Sequence, residues 1–310
     1  MPRAALGGIS QSRLEAKRGD TIAYHEMKSV FHPISLCDVI GTLTASRMAK
    51  LGSFRSATRG GVKCAEWMLR QEHVSWNVLV DFDGTIAPDD PTDRILERFA
   101  EPSWRVLEQA WQAGRISSRE CMHRQVDLLR VSPAMLGKQI DNIRIDPEFP
   151  AFVEFCKAAG AHVTIVSDGF DRVVRGALDR VGLSLPVCAN KLEWQGGDRW
   201  RLALPYMRAG CRADAANCKC SHRPSQSELK VVVGDGRSDY CAALSADCVI
   251  AKGALADLCR QACKRHATFG DFYDVRMHLA DWLSCLAETR ASRTSTAHSV
   301  ASARQYSSLK

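Results

Sequence analysis

The chain reads as an α/β protein: a doubly wound parallel sheet with a small α-helical cap inserted after the first strand. Three observations lead there. Val78-Leu79-Val80 is an apolar run that stops abruptly at two carboxylates, Asp81 and Asp83. Two later runs, Ala161 to Val166 and Lys230 to Val233, likewise end in polar, glycine-bearing turns, Ser167-Asp168-Gly169 and Gly234-Asp235-Gly236. Unbroken apolar runs suit parallel strands covered on both faces, and the carboxyl ends of such strands open on the ligand crevice. Between the first and second runs the apolar spacing changes to that of helices.

Residues 1–72 mix Ser, Arg, Gly and Lys without a sustained period, which predicts a poorly ordered basic extension. The first strand opens a core over 73–88. From Pro91 to Asn142 the groups Ile95, Leu96, Phe99, then Val106, Leu107, Ala110, Trp111, then Cys121, Met122, Val126, Leu129 repeat at helical spacing. Breaks at Glu101-Pro102, Gly114 and Ser132-Pro133, with Ser117 and Glu120 spaced as a capping box, divide this stretch into about four helices. They define a cap over 89–145. The core resumes over 146–287 with a helix from Phe152 to Ala159, the second strand, and a helix carrying Val173, Val174, Ala177 and Leu178. A hairpin-like stretch turns at Gly196-Gly197, and a Cys-rich irregular segment over 206–228 leads to the third strand. A helix from Tyr240, a short strand from Cys248 to Ala251 and a helix from Val275 to Ala287 follow, and residues 288–310 read as a disordered tail.

A length of 310 residues accommodates a full core and an accessory domain. The formal charge of +7 is unevenly placed: residues 1–72 hold 11 Lys/Arg against 6 Asp/Glu, residues 288–310 hold 4 against 1, and the body between holds 27 against 28. A nucleic-acid binder concentrates Lys/Arg on its folded domain, so nucleic acid is not expected as a partner. No apolar run approaches the roughly 20 residues that span a bilayer, and the N-terminus lacks the apolar core of a secretory signal. Thirteen cysteines, an odd number scattered through helical and strand-like segments, read as reduced thiols of a cytoplasmic protein rather than a disulfide framework.

The acid pair points to phosphate-ester chemistry. Hydrolysis of a phosphomonoester is extremely slow without help and needs a nucleophile, charge neutralisation and a proton for the leaving group. Asp81 supplies a nucleophile that forms an aspartyl-phosphate, and Asp83 an acid that later activates water. Two carboxylates repel a phosphate dianion, so a divalent cation is required. Asp235 and Asp239 add oxygen ligands to Asp81 and Asp83, and oxygen-only ligation favours Mg2+. Gly84-Thr85, and Ser167 with the amides of Asp168 and Gly169, suit the phosphoryl oxygens. One further cation is wanted at Asp81; Lys191 and Lys219 both lie between the second and third strands, and Lys219 is preferred.

These residues resemble the haloacid dehalogenase superfamily, with Asp81-Phe82-Asp83-Gly84-Thr85 as its first motif, Ser167 as its second and Gly234-Asp235-Gly236-Arg237-Ser238-Asp239 as its fourth. An ordered set is far more specific than one motif alone. The resemblance implies a Rossmann-like core, Asp81 as nucleophile, Asp83 as acid/base with its carbonyl on the metal, Asp235 as a direct Mg2+ ligand and Asp239 in the metal shell. The helical insertion is similar to the cap of the phosphoserine phosphatase branch. Asp89-Asp90-Pro91-Thr92-Asp93, the segment from Gly114 to Glu120 and Asn217-Cys218-Lys219-Cys220 look closest to the 2-hydroxy-3-keto-5-methylthiopentenyl-1-phosphate phosphatases of methionine salvage. In that subgroup the loop lysine serves as the third motif, which ranks Lys219 over Lys191. The implied partner is a small phosphorylated metabolite. Phosphoserine or another small phosphomonoester is the alternative, and a non-catalytic metabolite-binding protein of the same fold is the alternative of another class.

Bland readings stand beside these. Asp-Gly pairs form turns, and Ser167 could merely cap the next helix. Cys211, Cys218, Cys220 and His222 make a legitimate zinc ligand set, against simple loop cysteines. Trp104, Trp111 and Met122 could line a pocket for an apolar tail, although their spacing suits the inside of a small bundle, which is preferred. Arg119 is a candidate partner for a substrate carboxylate or enolate.

Overall fold

A computed structural model describes residues 76–211, 214–222 and 229–287. The extension over 1–72 and the tail over 288–310 lie outside the described residues. Seven strands form one sheet in the order β4-β3-β2-β1-β5-β6-β7. They are β1 (Trp76–Val80), β2 (Ala161–Phe170), β3 (Val187–Gly196), β4 (Arg199–Ala203), β5 (Leu229–Gly234), β6 (Cys248–Ala251) and β7 (Ala267–Thr268). All pairings are parallel except β3 with β4, the hairpin turning at Gly196 and Gly197, both at positive φ.

The central strands are apolar throughout because both faces of the sheet are covered. Val78 and Val80 of β1 and Val231 and Val233 of β5 face a large cluster centred on Phe149, Phe152 and Phe272. Leu79 and Val232, one residue out of phase, face a smaller cluster with Leu255, Ala256 and Cys259. Each such side chain removed from water contributes about 1.5–3 kcal/mol, so a polar replacement at Val80 or Val233 strikes the fold at its centre.

The helices are α1 (Pro91–Phe99), α2 (Trp104–Gln112), α3 (Ser118–Asp127), α4 (Pro133–Ile140), α5 (Phe149–Ala158), α6 (Asp171–Arg180), α7 (Tyr240–Leu244), α8 (Gly253–Gln261) and α9 over 272–287. Five of them, α1 to α5, fall between β1 and β2, and side-chain caps begin three of the five. Asp90 accepts from the Asp93 amide ahead of Pro91, Ser117 from Glu120, and Ser132 from Met135 ahead of Pro133. Helix α3 packs on α2 and on β4, and the Trp200 indole of β4 donates to the Val131 carbonyl at 2.7 Å. The chain differs from its sequence reading in small ways. Helix α9 begins at 272 rather than 275 because Asp271 caps it, accepting from the Asp274 amide. Helix α8 and the two-residue β7 carry too few apolar residues to announce themselves. No helix among the described residues is long and apolar enough to cross a membrane.

Strand order places the site. Val80 pairs with Ile165 on one side and Val233 on the other, so the residues just past these positions emerge together at one edge. The connections leave β1 toward β2 and β3 and return to β5 on its other flank, which makes the β1/β5 boundary the switch point where α/β sheets bind ligands.

Candidate active site

Asp81 follows β1 directly, its amide donating to the Val233 carbonyl at 2.9 Å. Lys219 Nζ lies 2.6 Å from Asp81 Oδ1 and 2.7 Å from Asp239 Oδ1, and all three residues are buried. Burial, and after it the neighbouring Asp239, hold the Asp81 carboxyl well above the usual carboxylate range. Burial pulls the Lys219 ammonium down, but Asp239, Asp81 and Asp168 together outweigh it and keep its pKa above that of an ordinary lysine. Lys191, the rival cation, is exposed on β3.

Asp235 sits on the loop after β5. Ligand oxygens of Asp81, Asp235 and Asp239 lie within 4.8 Å of one another. Thr85 Oγ1 donates to Asp235 Oδ1 at 2.7 Å, and the Gly236 amide donates to Asp239 Oδ2 at 3.1 Å. Gly84, at φ +73°, lets the chain pass so close that a Cβ there would stand 2.5 Å from Asp235 Oδ2. With all three carboxylates ionised, as a bound cation would require, the cluster carries two negative charges in excess of its one ammonium, and every donor is a carboxylate oxygen. That set fits a hard divalent cation.

Asp83 points away from this cluster. Its Oδ1 accepts from the amide and the hydroxyl of Thr92, at 3.1 and 3.0 Å, and its Oδ2 from Ser167 Oγ at 2.9 Å. Thr92 sits in the first turn of α1, where helix amides have no partner within the helix and suit an anion. Ser167 lies where β2 leaves its regular register with β3, between Val166 and Phe170. Its Oγ also accepts from the Gly169 amide at 2.8 Å, so the proposed phosphate-binding amide of Gly169 is engaged with Ser167 here. The Thr85 hydroxyl, placed by sequence reasoning on the phosphate, is likewise engaged, with Asp235.

Asp168 is half-buried. Ser118 Oγ donates to its Oδ2 at 2.6 Å and the Asn217 amide to its Oδ1 at 2.7 Å, while Asn190 Nδ2 donates to its carbonyl at 2.6 Å. Thr92, Ser118 and Asn217 fall in the segments that carry the subgroup resemblance but received no role in the sequence reading, and Asn190 escaped it.

A cavity of about 510 Å3 joins these groups to the helices. Its lining includes Asp81, Asp83 and Asp235, the acidic Asp90, Asp93 and Glu108, and Trp111, Cys121 and Met122, and Arg237 is the one cation among the described lining residues. Trp111 and Met122 both border the cavity, Met122 while also packing against the large core cluster as the spacing suggested, whereas Trp104 is buried outside that lining. Arg119 does not face it. Its guanidinium pairs with Asp214 at 2.5 Å and lies against Met207 Sδ. The eleven cysteines of the described residues are free thiols. Cys218 and Cys220 bring their sulfurs to 3.1 Å, but His222 turns to Asn217 Oδ1 at 3.0 Å. No group of these cysteines with His222 comes within joint reach of one ion among the described residues.

A parallel sheet delivering an acid pair, a buried lysine and an oxygen-only cation cluster to one edge is that of a phosphoric monoester hydrolase. The sequence pattern of haloacid dehalogenase-like hydrolases matches residues 78–244, and the chain belongs to that family. The 2-hydroxy-3-keto-5-methylthiopentenyl-1-phosphate phosphatase of Geobacillus kaustophilus is 34% identical over 207 residues, covering 63% of this chain and 91% of the relative. The phosphatase of the same name from Brevibacillus brevis is 30% identical over 208 residues, covering 63% and 90%. A solved phospho-aspartyl intermediate analogue of phosphoserine phosphatase shares the fold with a TM-score of 0.51 at 19% identity, covering 66% of this chain and 99% of that one.

Proposed function

We propose that the chain hydrolyses a small phosphorylated metabolite through an aspartyl-phosphate on Asp81, with 2-hydroxy-3-keto-5-methylthiopentenyl-1-phosphate as its substrate. The observation that carries the chemistry is the buried Asp81–Lys219–Asp239 arrangement beside a separately held Asp83. Asp81 attacks phosphorus, and Asp83 gives a proton from its carboxyl to the leaving oxygen, then takes one from the water that cleaves the acyl-phosphate. Lys219 holds Asp81 in line and offsets charge on the phosphoryl group. Ser167 Oγ turns from Asp83 to a phosphoryl oxygen. Mg2+ held by Asp81, Asp235 and Asp239, with the Asp83 carbonyl, would neutralise the phosphate dianion. Residues 89–145 act as a cap that closes over the core and excludes bulk water.

The cavity's lining supports the substrate. Phosphoserine carries a carboxylate, and this lining offers Asp93 and Glu108 beside a single Arg237. Like charges facing each other disfavour binding. Trp111 and Met122 suit a thioether tail, as does Cys121, a neutral thiol whose pKa burial, with Glu108 and Asp93 after it, pushes up to about 12. The names of the relatives favour the same ester. A non-catalytic binder of the same fold would have no use for Asp83 beside the nucleophile.

Phosphate release from a panel holding the methylthiopentenyl ester, phosphoserine and an aryl phosphate tests the reading. Turnover that needs Mg2+, disappears in Asp81→Asn and favours the thioether ester is expected. Faster hydrolysis of phosphoserine would reverse the substrate assignment, and metal binding without turnover of any ester would favour the binder.

A further inference from the structure

Lys219 stands on a loop, yet it must place its ammonium within hydrogen-bond distance of two carboxylates in a buried site. What fixes the loop is a short run of contacts that begins on α3. Ser118, the first residue of α3, donates to Asp168 Oδ2, and Asp168 Oδ1 accepts from the Asn217 amide two residues before Lys219. Asn217 is fully buried and clamped on every side. Its Nδ2 donates to the carbonyls of Ser167 and Cys188, at 2.9 and 2.7 Å, and its Oδ1 meets His222 Nε2. Arg119, the second residue of α3, adds a parallel link to Asp214 on the same loop through both its guanidinium and its amide.

Asp168 is the one member of this run that touches both sides. A carboxylate taken even partly out of water is costly unless its oxygens are satisfied, and here each oxygen takes one donor from a different segment. A residue that merely closed the end of β2 would not need to join a helix of the insertion to the lysine loop.

We propose that Asp168 is a positioning residue: through Ser118 and Asn217 it ties the first turn of α3 to the Lys219 loop, so that the lysine reaches Asp81 only while α3 is seated against the core. The helical segment thereby does more than cover the cavity; its placement sets the geometry of the nucleophile's cation. This rests on the reading that Lys219 serves the chemistry at Asp81.

The test uses the full chain, an aryl phosphate and Mg2+, with Asp168→Ala, Ser118→Ala and Lys219→Met alone and in pairs. Misplacing a catalytic group by even about 1 Å costs on the order of a hundredfold, so each single variant of the tether should lose at least about tenfold in kcat while KM moves little. In the Lys219→Met background the same substitutions should cost nothing further, because residues that act as one unit are not additive. Full additivity would overturn the proposal. A second readout does not need turnover: the rate at which Lys219 is acetylated, followed by mass spectrometry, should rise in Asp168→Ala and in Ser118→Ala. Unchanged labelling in both would also overturn it. Ser118→Ala alters one hydroxyl at a helix start and keeps the test usable if Asp168→Ala does not fold. Faster labelling together with a Lys219→Met variant of full activity would leave the tether standing and strike the lysine's part in the reaction instead.

Discussion

The amide and the hydroxyl of Thr92 converge on a single oxygen of Asp83, at 3.1 and 3.0 Å. Ser167 holds the other oxygen, so the carboxyl is fixed from two sides by residues far apart in the chain. On the proposed mechanism, such a clamp sets the direction in which Asp83 exchanges its proton. Thr92→Val keeps the amide and removes the hydroxyl. A hydrogen bond to a charged group is worth about 1.5–3 kcal/mol, and about 1.4 kcal/mol is tenfold in rate, so kcat should fall at least about tenfold with the fold intact. Steady-state kinetics on an aryl phosphate checks this; full activity in the variant would mean that Asp83 needs no such clamp.

Lys219→Met leaves Asp81 and Asp239 buried without the ammonium that bridges them. Removing one partner of a buried ion pair costs about 3–5 kcal/mol. In the presence of a chelator the melting temperature should drop by about 10 °C, since each kcal/mol shifts a domain of this size by roughly 2–4 °C. Added Mg2+ should raise it more than in the parent chain, because the cation then meets carboxylates that nothing else neutralises. Thermal melts with chelator and with Mg2+ decide it, and equal stability of the two proteins without metal would contradict the buried pairing.

Much of this site was legible in the sequence for a plain reason. Val78 to Val80 and Val231 to Val233 are covered on both faces, so they read as unbroken apolar runs, and the carboxylates that end them stand out against that background. Parallel pairing then forces Asp81 and Asp235 to one edge. The parts that Thr92, Asn217 and Ser118 play were hidden because a polar residue in a helix's first turn or in a loop looks the same whether it meets water or a carboxylate of the site. Trp111 and Met122 show the limit of periodicity: helical spacing gives the inward face, and that face borders a cavity as readily as a core. Helix α8 escaped because Leu255, Ala256 and Cys259 are its only buried residues, too short a stripe to separate from loop.

Gly169→Ala and Gly84→Ala should fail in different ways. Gly169 does not have a positive φ, so alanine meets no backbone penalty there, but its methyl would stand 2.4 Å from Asp83 Oδ2 and 2.7 Å from Thr92 Oγ1. Asp83 must swing off Ser167 to make room, and kcat should fall at least about tenfold with a melting temperature only a few degrees lower. Gly84 combines φ +73° with a methyl position 2.5 Å from Asp235 Oδ2. Strain and clash act together, so that variant should lose both stability and Mg2+ affinity. Paired melts and kinetics distinguish the two, and a fully active Gly169→Ala would mean that the observed seat of Asp83 is not the one used in catalysis.

Asp93 gives the site a pH signature that metal chelation leaves in place. Burial first, then Glu108, Asp83 and Glu97, push its carboxyl from 3.8 up to about 6. A raised folded pKa means that the folded chain prefers the neutral acid. The stability contributed by Asp93 is therefore complete below the unfolded pKa and is lost as the pH rises through the folded one. Asp93→Asn mimics the neutral form at every pH. The difference in melting temperature, variant minus parent, should be near zero at about pH 4, grow toward about pH 6 and stay level and positive above about pH 7. Groups that do not feel the Asp93 charge cancel in that difference; Asp90, which Asp93 helps to raise, does not cancel fully. Melts in chelator across this range measure it directly, and a difference of the same size at both extremes would show that Asp93 keeps an ordinary carboxylate pKa in the fold.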